Sequence, residues 1–112
     1  MAKILVVNND VDTMSLLKKW LEKRQHEVTY TGNEDQIMNM IKEFDPDLML
    51  VDVLQKDVVY RVKNDRTTTH IPILLMTGHT LRQETIDVPA DDVIEKPFNP
   101  HLLESKIERL TL

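Results

Sequence analysis

Polar side chains that could carry out phosphoryl transfer follow four apolar runs of this sequence. In chain order they are the triplet Asn8-Asn9-Asp10, the carboxylate of Asp52, the hydroxyl of Thr77 and the amine of Lys96. A carboxylate can attack phosphorus, while an amine and a hydroxyl can stabilise the charge that develops on the phosphoryl oxygens. These groups can act together only if the fold brings the ends of the four runs to one place.

The elements that would position them alternate between strand and helix patterns. Apolar runs rich in branched residues predict buried strands at residues 4–7, 48–52, 71–76 and 93–94, and residues 27–31 predict a further short strand. Helical spacing predicts helices after Asp10 or Asp12, after Asn33, within 55–65, at 80–87 and after Asn99-Pro100. Five strand–helix units predict a parallel sheet with helices on both faces, and ligands bind at the carboxyl ends of such strands.

Composition narrows the class of protein. The chain has 112 residues, which predicts a single domain over 1–112. A net charge of −5 argues against a nucleic-acid or anionic-membrane binder, and the absence of cysteine excludes disulfides and thiolate metal sites. No stretch has the length of a signal peptide core or a membrane span, so we expect a cytoplasmic protein.

At this point the sequence resembles the receiver domains of bacterial two-component response regulators. The resemblance covers essentially the whole chain and implies a flavodoxin-like (βα)5 fold with sheet order 2-1-3-4-5. The segments that carry it are Lys3-Ile4-Leu5-Val6-Val7, Pro46-Asp47-Leu48 through Asp52-Val53, His70-Ile71-Pro72-Ile73, Thr77, and Ala90-Asp91-Asp92 through Glu95-Lys96-Pro97-Phe98.

The resemblance also implies roles for individual residues. Asp52 occupies the position of the phosphoacceptor, Thr77 that of the hydroxyl that shifts on activation, and Lys96 that of the lysine that pairs with phosphoryl oxygens. The bond between Lys96 and Pro97 is usually cis in the family. Mg²⁺ would be held by Asn9, Asp52 and the backbone carbonyl of Leu54.

The metal positions depart from the family pattern. The family has two acidic residues after the first strand, and here they are Asn8 and Asn9. Because Mg²⁺ favours carboxylate oxygen and an amide brings no charge, we expect weak Mg²⁺ binding. Asp10 is a carboxylate, but the resemblance implies that it points away from the pocket, so it could replace the missing ligands only if the loop shifts.

Other departures concern switching and lifetime. The switch position three residues before Lys96 is usually aromatic and is Val93 here, so it lacks the ring whose rotation follows Thr77. The positions that tune phosphoryl lifetime are Leu54 and His79, and an apolar Leu54 predicts a long-lived phosphorylated form. The loop Gln55-Lys56-Asp57 replaces the family's proline- and glycine-containing loop.

These observations favour a stand-alone receiver domain that takes a phosphoryl group on Asp52 from a histidine kinase or phosphotransfer protein and then docks a downstream protein. No nucleic acid or membrane partner is expected, and a homodimer is an arrangement that the resemblance allows.

The alternative is a pseudo-receiver, a phosphorylation-independent interaction module in which Lys96 pairs permanently with Asp52. With only Gly32 and Gly78, the chain has no phosphate-binding loop, and an enzyme with a small-molecule substrate is a remote third reading.

Overall fold

The computed structural model describes residues 1–78 and 87–112. Strands and helices alternate along the described chain, and the helix expected at 80–87 lies outside the described residues apart from Asp87. The strands are β1 (Lys3–Val7), β2 (Glu27–Thr31), β3 (Leu48–Asp52), β4 (Ile73–Gly78) and β5 (Asp92–Lys96). The α-helices are α1 (Val11–Lys23), α2 (Ile37–Phe44), α3 (Asp57–Lys63) and α4 (Pro100–Leu110), with 3₁₀ turns at Glu34–Gln36 and Val53–Gln55.

The five strands form one parallel sheet in the order β2-β1-β3-β4-β5, which confirms the predicted fold. The register places the strand ends side by side: Val7 pairs with Val51, Asp52 with Met76, and Thr77 with Glu95. The carboxyl ends of the strands, where the candidate groups lie, therefore share one edge of the sheet.

The sheet separates two apolar layers. On one side, side chains from α1 and α4 pack against β1, β3, β4 and β5, with Leu21, Leu50 and Ile107 completely buried. On the other side, α2 and α3 cover the sheet through Ile37, Val58 and Val62. Alternate residues along each strand enter opposite layers, as expected for a sheet covered on both faces.

Short polar side chains set where the helices begin. Asp10, one of the two predicted candidates, caps α1, and Asn99 caps α4 ahead of Pro100 as predicted. Asn33 also acts as a cap, but it begins the 3₁₀ turn that leads into α2 rather than α2 itself. The helix in the middle of the chain is shorter than the 55–65 window, because residues 53–55 form the second 3₁₀ turn.

The start of the fourth strand differs from the sequence prediction. The fourth strand begins at Ile73, not Ile71, because the backbone of Ile71 instead closes a turn by hydrogen bonding to the carbonyl of Thr68. No helix of the described ranges is long and apolar enough to cross a membrane.

Candidate functional site

Asp52 ends β3 and is the buried carboxylate of the strand edge, with 4% of its surface exposed. Its Oδ2 accepts a hydrogen bond of 3.0 Å from the backbone N–H of Leu54, at the start of the 3₁₀ turn. Its Oδ1 accepts a hydrogen bond from the Lys96 ammonium. Each carboxylate oxygen thus accepts one hydrogen bond, and the two donors together fix the orientation of the carboxylate.

Lys96 ends β5 and brings the positive charge to this edge. Its side chain is 36% exposed, whereas the side chain of Asp52 is 6% exposed, so the ion pair is reached from solvent on the lysine side. The peptide bond from Lys96 to Pro97 is cis, as the resemblance implied. The structure therefore brings together Asp52 and Lys96, two of the three residues expected to act in catalysis.

Thr77 lies at the same edge, but the hydrogen bond that its hydroxyl donates within the described residues goes to Gly78 and not to Asp52. The residue is completely buried, and its Oγ1 donates a hydrogen bond of 3.1 Å to the carbonyl of Gly78. The strand partner of Asp52 is Met76, one residue before Thr77. Contact between the Thr77 hydroxyl and a phosphoryl group on Asp52 would require this side chain to exchange its hydrogen-bond partner.

The two asparagines after β1 have different environments. Asn8 is buried, and its Oδ1 accepts a hydrogen bond of 2.8 Å from the backbone N–H of Asp10. Its Nδ2 has no hydrogen-bond partner within the described chain. Asn9 is exposed. Of the pair, Asn8 is therefore the side chain that belongs to the interior of the site.

Asp10 serves as the cap of α1 and not as a pocket ligand. Its carboxylate accepts hydrogen bonds from the Thr13 hydroxyl at 2.7 Å and from the backbone N–H groups of Asp12 and Thr13. The Thr13 hydroxyl, the two N–H groups and the nearby charge of Lys96 lower the pKa of Asp10, although desolvation opposes them. The loop shift that would make Asp10 a metal ligand is absent, because these hydrogen bonds hold it at the helix start.

Gln55 and Gly32 are parts of the site that sequence reasoning missed. Gln55 is buried, and its Nε2 donates to the carbonyl of Gly32 at 3.2 Å, while its Oε1 has no partner among the described residues. A Cβ on Gly32 would lie 2.9 Å from Oδ1 of Asn9 and 3.0 Å from the carbonyl oxygen of Asn8. Glycine thus permits the close approach of the two loops; its isolated position after β2 was the only sequence signal.

The remaining predicted positions surround this centre. Leu54 is 74% exposed, although its backbone N–H contacts Asp52. Val93 is half-buried and packs against the apolar layer formed with α2 and α3. His79 lies outside the described residues.

Comparison with known proteins shows to which family the chain belongs. The sequence pattern of the family described as response regulator receiver domain matches residues 4–108, nearly the whole chain. The chain belongs to the response regulator receiver domain family. Receiver domains generally serve as signalling modules of two-component systems rather than as enzymes, and they interact with histidine kinases or phosphotransfer proteins.

Individual relatives agree with this receiver assignment. The chain is 30% identical over 115 residues to the transcriptional regulatory protein CpxR of Escherichia coli K12 and 27% identical over 118 residues to the response regulator SaeR of Staphylococcus aureus USA300. These matches cover 98% of the chain, but 49% of CpxR and 50% of SaeR. The receiver therefore spans about half the length of the curated relatives it matches.

Solved structures show the same fold. The crystal structure of a putative response regulator from Chloroflexus aurantiacus matches this receiver with a TM-score of 0.89 at 23% identity, covering 98% of this chain and 97% of that one. The chemotaxis response regulator CheY4 of Vibrio cholerae matches with a TM-score of 0.84 at 24% identity, covering 98% of each chain.

Receiver domains bind Mg²⁺ in an acidic pocket, and this receiver offers few of the oxygens that such a pocket needs. Asp52 is the carboxylate present, Asn8 Oδ1 is already bonded to a backbone N–H, and the free Nδ2 of Asn8 is a donor. Nowhere in residues 1–78 or 87–112 do three or more Asp, Glu, His or Cys residues form a group that could hold a metal. The donor set fits a hard dication poorly, in agreement with the weak Mg²⁺ binding expected from the sequence.

Proposed function

We propose that this receiver accepts a phosphoryl group on Asp52 from a histidine kinase or phosphotransfer protein. The observation that supports this role is the pairing of a buried carboxylate with a half-exposed ammonium at the shared edge of the sheet. The Leu54 N–H holds the other carboxylate oxygen and so orients the nucleophile. A carboxylate held in this way can attack the phosphorus of a donor that approaches from solvent, while its hydrogen bonds keep it in position.

The transfer balances without a further reactant. An oxygen of Asp52 forms a bond to phosphorus, and the bond between phosphorus and the imidazole nitrogen of a phosphohistidine breaks. The imidazole leaves with the electron pair and takes a proton from solvent. Lys96 then exchanges its contact with the carboxylate for contact with the phosphoryl oxygens, whose negative charge it stabilises.

Switching and output follow from the same edge. We assign to Thr77 the hydroxyl that turns toward a phosphoryl group on Asp52, and to Val93, on the adjacent strand β5, the second position of the switch. A downstream protein would bind the surface whose shape changes when Thr77 and Val93 move. A homodimer and a cytoplasmic location stay predictions from the sequence.

The experiment is an intact-mass measurement after incubation with acetyl phosphate and MgCl₂. A phosphoryl adduct is expected in the unaltered receiver and not in Asp52→Ala. Asp57→Ala, which removes an exposed carboxylate at the start of α3, serves as the matched control and should retain the adduct.

An adduct that persists in Asp52→Ala would place the acceptor elsewhere. No adduct in any variant, together with downstream binding that is equal in the unaltered chain and Asp52→Ala, is the result expected of a pseudo-receiver. The family match does not favour that alternative.

A further inference from the structure

The orientation of the Asn8 side chain is set by its surroundings. Because the backbone N–H of Asp10 donates to Oδ1 at 2.8 Å, that position must be the oxygen and the other must be the NH₂ group. Asn8 is 4% exposed, and its Nδ2 has no partner in the part of the chain that the structure describes. A buried amide donor without a partner is costly, so the Nδ2 group favours an acceptor other than those that the described residues supply.

This donor lies on the same side of the sheet as Asp52. Val7 and Val51 are paired in register, and both enter the apolar layer formed with α2 and α3. Asn8 follows the last residue of β1, but its backbone N–H still bonds to the carbonyl of Thr31 at the end of β2, at 3.1 Å. Strand alternation therefore extends to Asn8, which leaves toward the opposite face, as Asp52 does. Asn8 and Asp52 are therefore neighbours across β1 and β3 at the edge where Lys96 arrives.

The charges at this edge balance without a metal ion. Asp52 is negative and Lys96 is positive, whereas Asn8 and Asn9 are neutral. The other nearby carboxylate, Asp10, is exposed and bonded to the first turn of α1. Among residues 1–78 and 87–112, a dication would thus meet no uncompensated buried negative charge in this pocket, and it would face the NH₂ group of Asn8, which is unfavourable.

We propose that this pocket is a metal-independent oxyanion site, in which Asn8 Nδ2 and Lys96 Nζ donate to a phosphoryl or phosphate oxygen. The inference rests on the proposed function in that the phosphoryl group on Asp52 is the physiological oxyanion. Asn8 places a hydrogen-bond donor where a typical receiver has a metal ligand. The site therefore binds the anion directly, whereas a typical receiver binds it by way of a bound cation.

The test uses Asp52→Asn, which cannot be phosphorylated and which removes the negative charge and one of the two acceptor oxygens that Lys96 and the Leu54 N–H use. Inorganic phosphate is titrated into the ¹⁵N-labelled variant in EDTA, and the Asn8 side-chain NH₂ and the Leu54 amide resonances are followed. We expect both to shift. Adding Asn8→Asp, which has the same shape but no donor, should weaken phosphate binding about tenfold or more, the value of one hydrogen bond to a charged group.

Asn39→Asp in the same background is the matched control, because it adds an equal charge on the exposed face of α2 and should weaken binding far less. The unaltered receiver is titrated in parallel with phosphate in EDTA and separately with MgCl₂. The inference can therefore be tested even if a variant fails to fold. There, phosphate should shift the Asn8 NH₂ resonance, and Mg²⁺ at equal concentration should not.

Equal phosphate affinity with and without Asn8→Asp would overturn the inference, because Asn8 would then donate no hydrogen bond to the anion. Shifts of pocket amides by Mg²⁺ at lower concentration than by phosphate would also overturn it. The two proposals fail separately: phosphate binding to Asp52→Asn with no adduct on the unaltered receiver refutes phosphoryl transfer alone, whereas an adduct that forms only with Mg²⁺ refutes metal independence alone.

Discussion

Lys96 donates a hydrogen bond to the carboxylate of Asp52, a residue 44 positions earlier in the chain, and so joins the end of β5 to the end of β3. The two strands are not neighbours, because β4 lies between them. The long side chain of Lys96 spans that strand, and the pair compensates the charge of a carboxylate that is otherwise removed from water.

Removal of Lys96 should destabilise the fold, because it leaves the Asp52 charge buried with one remaining donor. Breaking a fully buried pair costs roughly 3–5 kcal/mol, and the exposure of Lys96 lowers the expected loss in Lys96→Ala to about 1–3 kcal/mol. Urea denaturation measures it. Lys18→Ala, which breaks the exposed pair with Glu22, should change the free energy of unfolding by less than about 0.5 kcal/mol.

The double variant Asp52→Asn, Lys96→Ala supplies the check on this explanation. With the carboxylate neutralised, the loss caused by Lys96→Ala should largely disappear. If the two variants lose stability additively, the ion pair is not the source of the effect.

Introducing a carboxylate at Asn9 should create repulsion with Asp52. Asn9→Asp is expected to lower the melting temperature by a few degrees in EDTA, since about 1 kcal/mol corresponds to roughly 4–8 °C in a small domain. Mg²⁺ should then raise the melting temperature of Asn9→Asp and leave that of Asn39→Asp unchanged. A higher melting temperature of Asn9→Asp in EDTA would show that repulsion at this edge is negligible.

Leu54 should prolong the life of the phosphorylated form. Leu54 lies two residues after Asp52, and its side chain is 74% exposed. It can therefore shield an acyl phosphate from water, and it has no polar group that could orient an attacking water molecule. Leu54→Asn should shorten the hydrolysis half-life, measured by intact mass over time. Leu102→Asn, at an exposed leucine of α4, should not; equal half-lives in Leu54→Asn and the unaltered receiver would refute shielding.

His26 should be a structural residue that joins three parts of the fold. Its Nδ1 accepts from the backbone N–H of Ala2 at 3.0 Å, so the proton is on Nε2, which donates to the Glu104 carboxylate at 2.8 Å. His26→Ala leaves a buried N–H unpaired and should cost about 1–3 kcal/mol in urea denaturation.

Glu104→Gln is the matched variant, since the amide oxygen still accepts from Nε2. Its cost should be well below that of His26→Ala. A loss in Glu104→Gln as large as in His26→Ala would show that charge, and not the hydrogen bond, holds α4 to His26.

Asp92 should contribute to acid unfolding. Burial alone raises the pKa of Asp92, but hydrogen bonds from Lys106 and the Val93 N–H and the charges of Lys106 and Arg109 together lower it below the ordinary value of 3.8. A lowered pKa in the folded state means that the stabilisation is complete above pH 3.8 and is lost as the pH falls through the folded-state value.

Asp92→Asn should therefore be less stable than the unaltered receiver near pH 6, and the difference should shrink as the pH falls below about 4. Chemical denaturation at a series of pH values measures it. A difference that is constant over this range would assign the loss to packing and not to the carboxylate charge.

Much of the sheet was predictable because its signals are local. Branched apolar runs at β1, β3 and β4 mark strands buried on both faces, and the caps Asp10 and Asn99 mark helix starts. Parallel order then requires that Asp52 and Lys96 end at one edge, since the carboxyl ends of parallel strands lie together. The start of β4 was less predictable, because hydrogen bonding of Ile71 in a turn competes with strand pairing.

The sequence by itself determined which groups lie at the carboxyl-end edge of the sheet: a carboxylate, a hydroxyl, an amine and two amides, each following an apolar run. Only the tertiary structure decided what those groups do there. Asn8 is buried while Asn9 is exposed, Thr77 bonds to Gly78, Asp10 is held by α1, and Gln55 turns inward to Gly32. The physical reason is that strand periodicity stops at the strand end, where side-chain direction depends on loop hydrogen bonds and on contacts between residues distant in the chain.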